Sequence, residues 1–181
     1  MYLRGEDQMF KLRFANSDVP YWAGRYSYPR GEAELLQLAS AVRTRGYVDK
    51  PTLQLVADWK SPRSAGNVEK NAAEFVEEMT SIAFAGKNER SRIEPLTLLD
   101  GVSWPTASVV LHLFHPEPYP ILDFRALWSL GSQPPAQYGF DFWWPYVQAC
   151  RQFYDECACD PRTFDRAVWQ YSKEQQGVRR P

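Results

Sequence analysis

The sequence is short of most features that would class it quickly. It has three cysteines in 181 residues, an odd number grouped near one end as Cys150, Cys157 and Cys159. That excludes the even, spaced framework of a small secreted disulfide protein. No apolar run approaches the length that spans a bilayer, and the N-terminus, MYLRGEDQMF, has neither an apolar h-region nor a small-residue cleavage site. These absences read as a cytoplasmic protein with no membrane partner. Net charge is nearly absent too: the formal value is -1, with 14 Lys/Arg against 12 Asp/Glu in residues 1–92 and 7 against 10 in residues 93–181. Broad counter-ion release on nucleic acid needs a more basic surface. Any DNA contact must therefore be local, made by a few Arg, Lys and backbone N–H groups. Strand signals are also scarce. Only the first twenty-odd residues, where Phe10, Leu12 and Phe14 alternate, read as extended, and Pro20 and Pro29 limit that stretch.

What is present is helix and core. At 44% hydrophobic and 15% aromatic, the chain can form one compact all-α domain over residues 1–181. Residues 31–45 carry Leu35, Leu38, Ala39 and Val42 at helical spacing, with Gly46 as a stop. Asp49, Lys50 and Pro51 open a second helix that ends where Ser61 precedes Pro62. Asn67 is placed to cap a long helix to about Phe84, with Val68, Ala72, Phe75, Val76, Met79 and Ile82 on one face. Residues 91–99 form a short helix; residues 140–157 and 161–175 form two more, the last capped by Asp160. The loop GSQPPAQYG at 131–139 is the best site for a boundary between sub-lobes.

One stretch asks for chemistry: LLDGVSWPTASVVLHLF, followed by HPEPYPILDFRALW. Asp100, Gly101, Val102 and Ser103 make a turn that uses glycine at its tightest point, and Pro105 then starts a helix through Phe114, giving a helical hairpin over 91–114. The N–H groups from about Ser103 to Thr106 lack helical partners and sit at the positive end of a helix dipole, a combination that attracts phosphate. An ordinary αα-hairpin in a core reads the same way, and both readings stand here. Pro116, Pro118 and Pro120 then restrict the approach to Asp123, which sits at the mouth of the next helix. A fixed carboxylate at such a place is a helix cap, or a group that stabilises positive charge on a sugar as an N-glycosidic bond breaks, or both.

These segments are similar to the helix-hairpin-helix DNA glycosylase superfamily, whose hairpin reads Leu-Pro-Gly-Val/Ile-Gly-x-x-Thr-Ala before an apolar helix. The resemblance extends to YPILDFRALW, which looks like the element that bears that family's catalytic aspartate. It also takes in DWKSPRSAGNVEK at 58–70, so that it covers about residues 55–130. It implies a helical fold, DNA as partner, and monofunctional excision of a damaged or modified base in DNA repair. Asp123 would be the catalytic residue, and Gly101, Val102, Ser103, Thr106, Lys60 and Arg63 would contact the DNA backbone. Trp59, Phe124, Trp128, Trp143 and Trp144 would line a base pocket or wedge into the stack. Pro105 stands where bifunctional members carry a Schiff-base lysine, 18 residues before Asp123, so no β-lyase step runs through it. Ser103 replaces the second hairpin glycine. The alternative is a non-catalytic hairpin protein that binds nucleic acid or a protein partner, with Asp123 as a structural cap and the aromatics as core. The spacing Cys150-x6-Cys157-x-Cys159 is similar to the start of an iron–sulfur loop but lacks the fourth cysteine, and His112 with His115 has no third ligand. Neither a metal nor another cofactor is expected, and the oligomeric state stays open.

Overall fold

Aspartate and proline set the helix starts. In this computed structural model, which describes residues 9–28 and 31–177, a side-chain oxygen of Asp49 accepts from the Thr52 N–H at 2.9 Å, Asp123 from Arg125 at 2.8 Å, and Asp160 from Arg162 and Thr163 at 2.9 and 3.0 Å. Each satisfies N–H groups that a helix leaves unpaired at its first turn. Proline occupies the first turn of α1 (Val19–Gly24), α3 (Lys50–Lys60), α4 (Pro62–Ala65), α7 (Trp104–Phe114) and α10 (Pro161–Gln175), where its missing N–H costs no bond. The remaining helices are α2 (Glu32–Arg45), α5 (Ala73–Ala85), α6 (Glu89–Ile93), α8 (Phe124–Ser129) and α9 (Phe140–Glu156). Short 3-10 turns lie at Asn16–Asp18, Val68–Lys70 and Glu94–Leu98. Among the described residues there is no strand, and no helix is long and apolar enough to cross a membrane.

The centre is α7. Ala107, Val109, Val110, Leu111 and Phe114 are all fully buried, and a helix apolar on every side is one enclosed by others. Here α2 and α3 lie across it, while α1 and α8 pack against α10. Full burial of each large apolar side chain is worth about 1.5–3 kcal/mol, so the α7 face anchors the elements that carry the candidate site.

Three expectations are corrected. The alternating N-terminal residues form no sheet. Instead the Lys11 and Arg13 N–H groups bond the carbonyls of Leu130 and Ser129 at the end of α8, at 2.8 and 2.9 Å, with Phe10 buried beneath. Pro20 then opens α1 rather than limiting a strand. The long helix from Asn67 is broken. Asn67 makes no side-chain cap, a 3-10 turn follows, and Asn71 is extended because its amide is spent on the hairpin: Nδ2 donates to the Asp100 carbonyl and Oδ1 accepts the Asp100 N–H, both at 2.9 Å. Phe75 and Ile82, expected on the inner face, are exposed. Finally, Pro62 ends α3 as expected but also starts the short α4.

Candidate functional site

The last residue of α3 meets the cap of α8. Lys60 Nζ donates to Asp123 Oδ2 at 2.6 Å while Asp123 Oδ1 accepts the Arg125 N–H. Both side chains are largely buried, 11% and 15% exposed. Burial alone raises a carboxyl pKa, but the Lys60 charge and hydrogen bond, helped by the Arg125 N–H, outweigh it and hold Asp123 below the usual carboxylate range. The perch beneath it is tied down by more than the three prolines. The Leu122 N–H donates to Ser108 Oγ at 2.8 Å, Tyr146 Oη donates to the Ile121 carbonyl at 2.7 Å, and His112 Nδ1 meets the Tyr119 carbonyl at 2.7 Å. Asp123 is thus positioned by α7 and α9 as well as by its own helix.

Around the pair lies a small cavity of about 40 Å³. Its walls are Tyr26, Tyr28, Trp59 and Trp169 with Lys60, Asp123 and Asp165. Behind it a charged network braces α10 against α2: Glu32 accepts from Arg162 at 2.9 Å and from Arg166, and Arg162 also pairs with Asp165. The Arg162 guanidinium lies 5.4 Å from the Tyr26 ring centre and 5.7 Å from that of Trp59. Trp59 Nε1 is buried with no hydrogen-bond partner among the described residues, an unspent donor beside this cavity.

No family model, curated protein or solved structure matches this chain. The site is therefore read from its geometry.

Of the residues expected in a base pocket, Trp59 is at the cavity. Phe124 is adjacent in sequence to Asp123 but half exposed, under the Arg125 guanidinium. The other three are elsewhere. Trp143 is fully buried and stacked on Tyr119 at 5.8 Å. Trp144 packs on Phe140 and under Arg151. Trp128 faces Tyr171 and Arg13. None of these three lines the cavity: Trp143 belongs to the core, and Trp144 and Trp128 each pack against another ring and an arginine.

The hairpin residues divide in the same way. Gly101 has φ +83°, and a Cβ there would stand 3.0 Å from the Ser64 carbonyl oxygen and from Val68. Its bareness fits the turn against α4. Val102 is buried, with its N–H bonded to the Leu99 carbonyl at 3.0 Å. Thr106 is also fully buried, its Oγ1 3.2 Å from Ser61 Oγ, so neither of these two side chains meets solvent. Ser103 and Arg63 are exposed. Lys60 points inward to Asp123, away from the solvent position that direct backbone contact expects.

The walls that the sequence reading missed are Tyr26, Tyr28, Asp165 and Trp169. The signals were there: an aromatic cluster, YWAGRYSY, at 21–28, and Asp165 with Trp169 one helical turn apart in α10. Nothing local to Asp123 connects them to it. The cysteines form no disulfide. Cys150 is buried in α9, while Cys157 and Cys159 flank Ala158 at the helix end.

Proposed function

We propose that this protein hydrolyses the N-glycosidic bond of a damaged or modified DNA base, with Asp123 facing the sugar and the 101–106 hairpin at a phosphate. The observation that carries the reading is the Asp123 carboxylate, kept ionised and rigid at the wall of an aromatic-lined cavity. Departure of a base leaves positive charge on the sugar, and a preorganised carboxylate in a dry site stabilises that charge or orients the attacking water.

Lys60 gives the resting state a restraint. Paired at 2.6 Å, its ammonium cancels much of the field that Asp123 would place on a sugar. A substrate phosphate competes for the same ammonium. When Lys60 changes partner, Asp123 keeps only its Arg125 N–H and its charge faces the substrate. Pro105 has no amine, so no Schiff base forms at that position and the proposed chemistry is hydrolysis. The hairpin supplies the start of α7, a helix of 11 residues, with Ser103 exposed at its mouth for a phosphate.

A second reading is favoured by one fact: both Asp123 oxygens have protein partners, as in a structural cap. A panel of duplexes, each with one damaged base, separates the two when assayed for abasic sites. The enzyme reading expects one base to be excised by the wild-type protein and its excision to fall by orders of magnitude in Asp123→Asn. If no duplex yields abasic sites, the protein is a hairpin scaffold and Asp123 its cap.

A further inference from the structure

The cavity beside Asp123 holds about 40 Å³. That is room for a water molecule, far below the roughly 300 Å³ at the small end of ligand pockets. What fills the rest is an aromatic side chain of the protein. The Tyr28 ring centre lies 5.3 Å from that of Trp59, tilted by 59°, and 5.2 Å from that of Trp169, edge to face at 77°, while the Tyr26 ring lies parallel to it at 6.3 Å, 10° between planes. Three aromatic rings therefore surround a fourth, in the spacing that planar rings adopt.

Beyond this ring packing, Tyr28 has one side-chain hydrogen bond among the described residues: its Oη donates at 2.7 Å to the Trp59 carbonyl, and residues 26–28 belong to no helix. The neighbouring backbone is pinned one residue earlier: the Ser27 N–H donates to Gln170 Oε1 at 3.2 Å, and Lys173 donates to Ser27 Oγ at 2.8 Å. Ser27 can stay anchored while the Tyr28 side chain turns away. Its departure would open a slot between two tryptophans, bordered by Lys60 and Asp123. That slot suits a planar heteroaromatic ring.

We propose that Tyr28 is an internal occupant of a nucleobase subsite between Trp59 and Trp169, and that a base enters only by displacing it. This rests on the base-excision reading for its ligand class, and two separate readouts keep them apart. Tryptophan fluorescence of wild type, Tyr28→Ala and Tyr28→Phe is titrated with free adenine, cytosine and uracil, and single-turnover excision is measured on the duplex panel. The alanine variant should bind at least one free base tenfold more tightly than wild type. It should excise about tenfold faster. The phenylalanine variant, which loses only the bond to the Trp59 carbonyl, should gain about threefold and carries the test if the alanine variant does not fold. A folded Tyr28→Ala that binds free bases no better than wild type overturns the plug, whatever excision shows. Improved base binding with no excision by any form leaves the plug standing and removes the enzyme reading.

Discussion

Replacing Asp123 by Asn does two things at once, because its partner is a buried ammonium. It removes the charge that the proposed chemistry uses, and it leaves Lys60 uncompensated 11% exposed, at a cost of about 3–5 kcal/mol. A loss of activity in Asp123→Asn alone is therefore ambiguous. Adding Lys60→Met should restore most of the stability, since an apolar side chain needs no counter-charge, while excision stays reduced by orders of magnitude. Chemical denaturation and excision assays on the four members of this cycle check both halves. Recovery of activity with stability would assign Asp123 to structure. Acid provides a second residue-scale test. Burial, with the Arg92 charge nearby, lowers His115 to about 4, and burial lowers His112 too. Between pH 6.5 and 4 the unfolded chain binds protons that the folded one does not, so stability falls as pH falls through that window. Asp123 has the same sign at lower pH: its stabilisation is full above the ordinary carboxyl value near 4 and is lost as pH drops through its own lower value. Melting temperature should be flat between about pH 7 and 8 and decline as pH falls from about 6.5. His115→Gln should flatten the upper part of that decline.

At the scale of an element, the hairpin is held by shape. Valine at position 101 would need φ +83° and would meet the α4 backbone, so Gly101→Val should destabilise the fold by about 2–5 kcal/mol rather than selectively weaken DNA binding. Ser103 is exposed and extended with no side-chain cap bond, so Ser103→Gly should leave stability within about 0.5 kcal/mol and isolates the turn's role in DNA affinity. The end of α9 offers a gain. There the Ala158 N–H bonds the Asp155 carbonyl at 3.2 Å and the Cys159 N–H bonds that of Tyr154 at 3.1 Å, a Schellman ending whose left-handed residue is Ala158 at φ +48°. Ala158→Gly should raise stability by about 0.5–1 kcal/mol, relief of the left-handed strain less the added freedom of the unfolded chain, measured by thermal and denaturant melts. These elements also mark what was legible. Starts written in adjacent residues, as in Asp49-Lys50-Pro51 and Asp160-Pro161, were readable because the cap acts within three residues. The break at Asn71 was not, since its cause is a pair of bonds to Asp100, 29 positions away.

Across the whole molecule the charge balance, -1 overall, limits how DNA binding responds to salt. With one to three phosphates neutralised, a plot of log K against log salt should have a slope of about -1 to -3, measured by fluorescence anisotropy. A slope steeper than about -6 would place the contact surface away from the hairpin. The candidate site was half legible for a related reason. Asp123, Trp59 and Lys60 lie within the segments whose order and spacing carry the resemblance, whereas Tyr28 and Trp169 come from opposite ends of the described chain and meet only when α1 docks on α10. That closure has a consequence for the time order of assembly. During synthesis Asp123 emerges before Trp169, and the cavity wall is incomplete until α10 is made and has reached back more than a hundred residues to the segment after α1. Contacts of such long sequence separation form late, so the nascent chain should acquire its helices and its Asp123–Lys60 pair first and any competence to hold a base last.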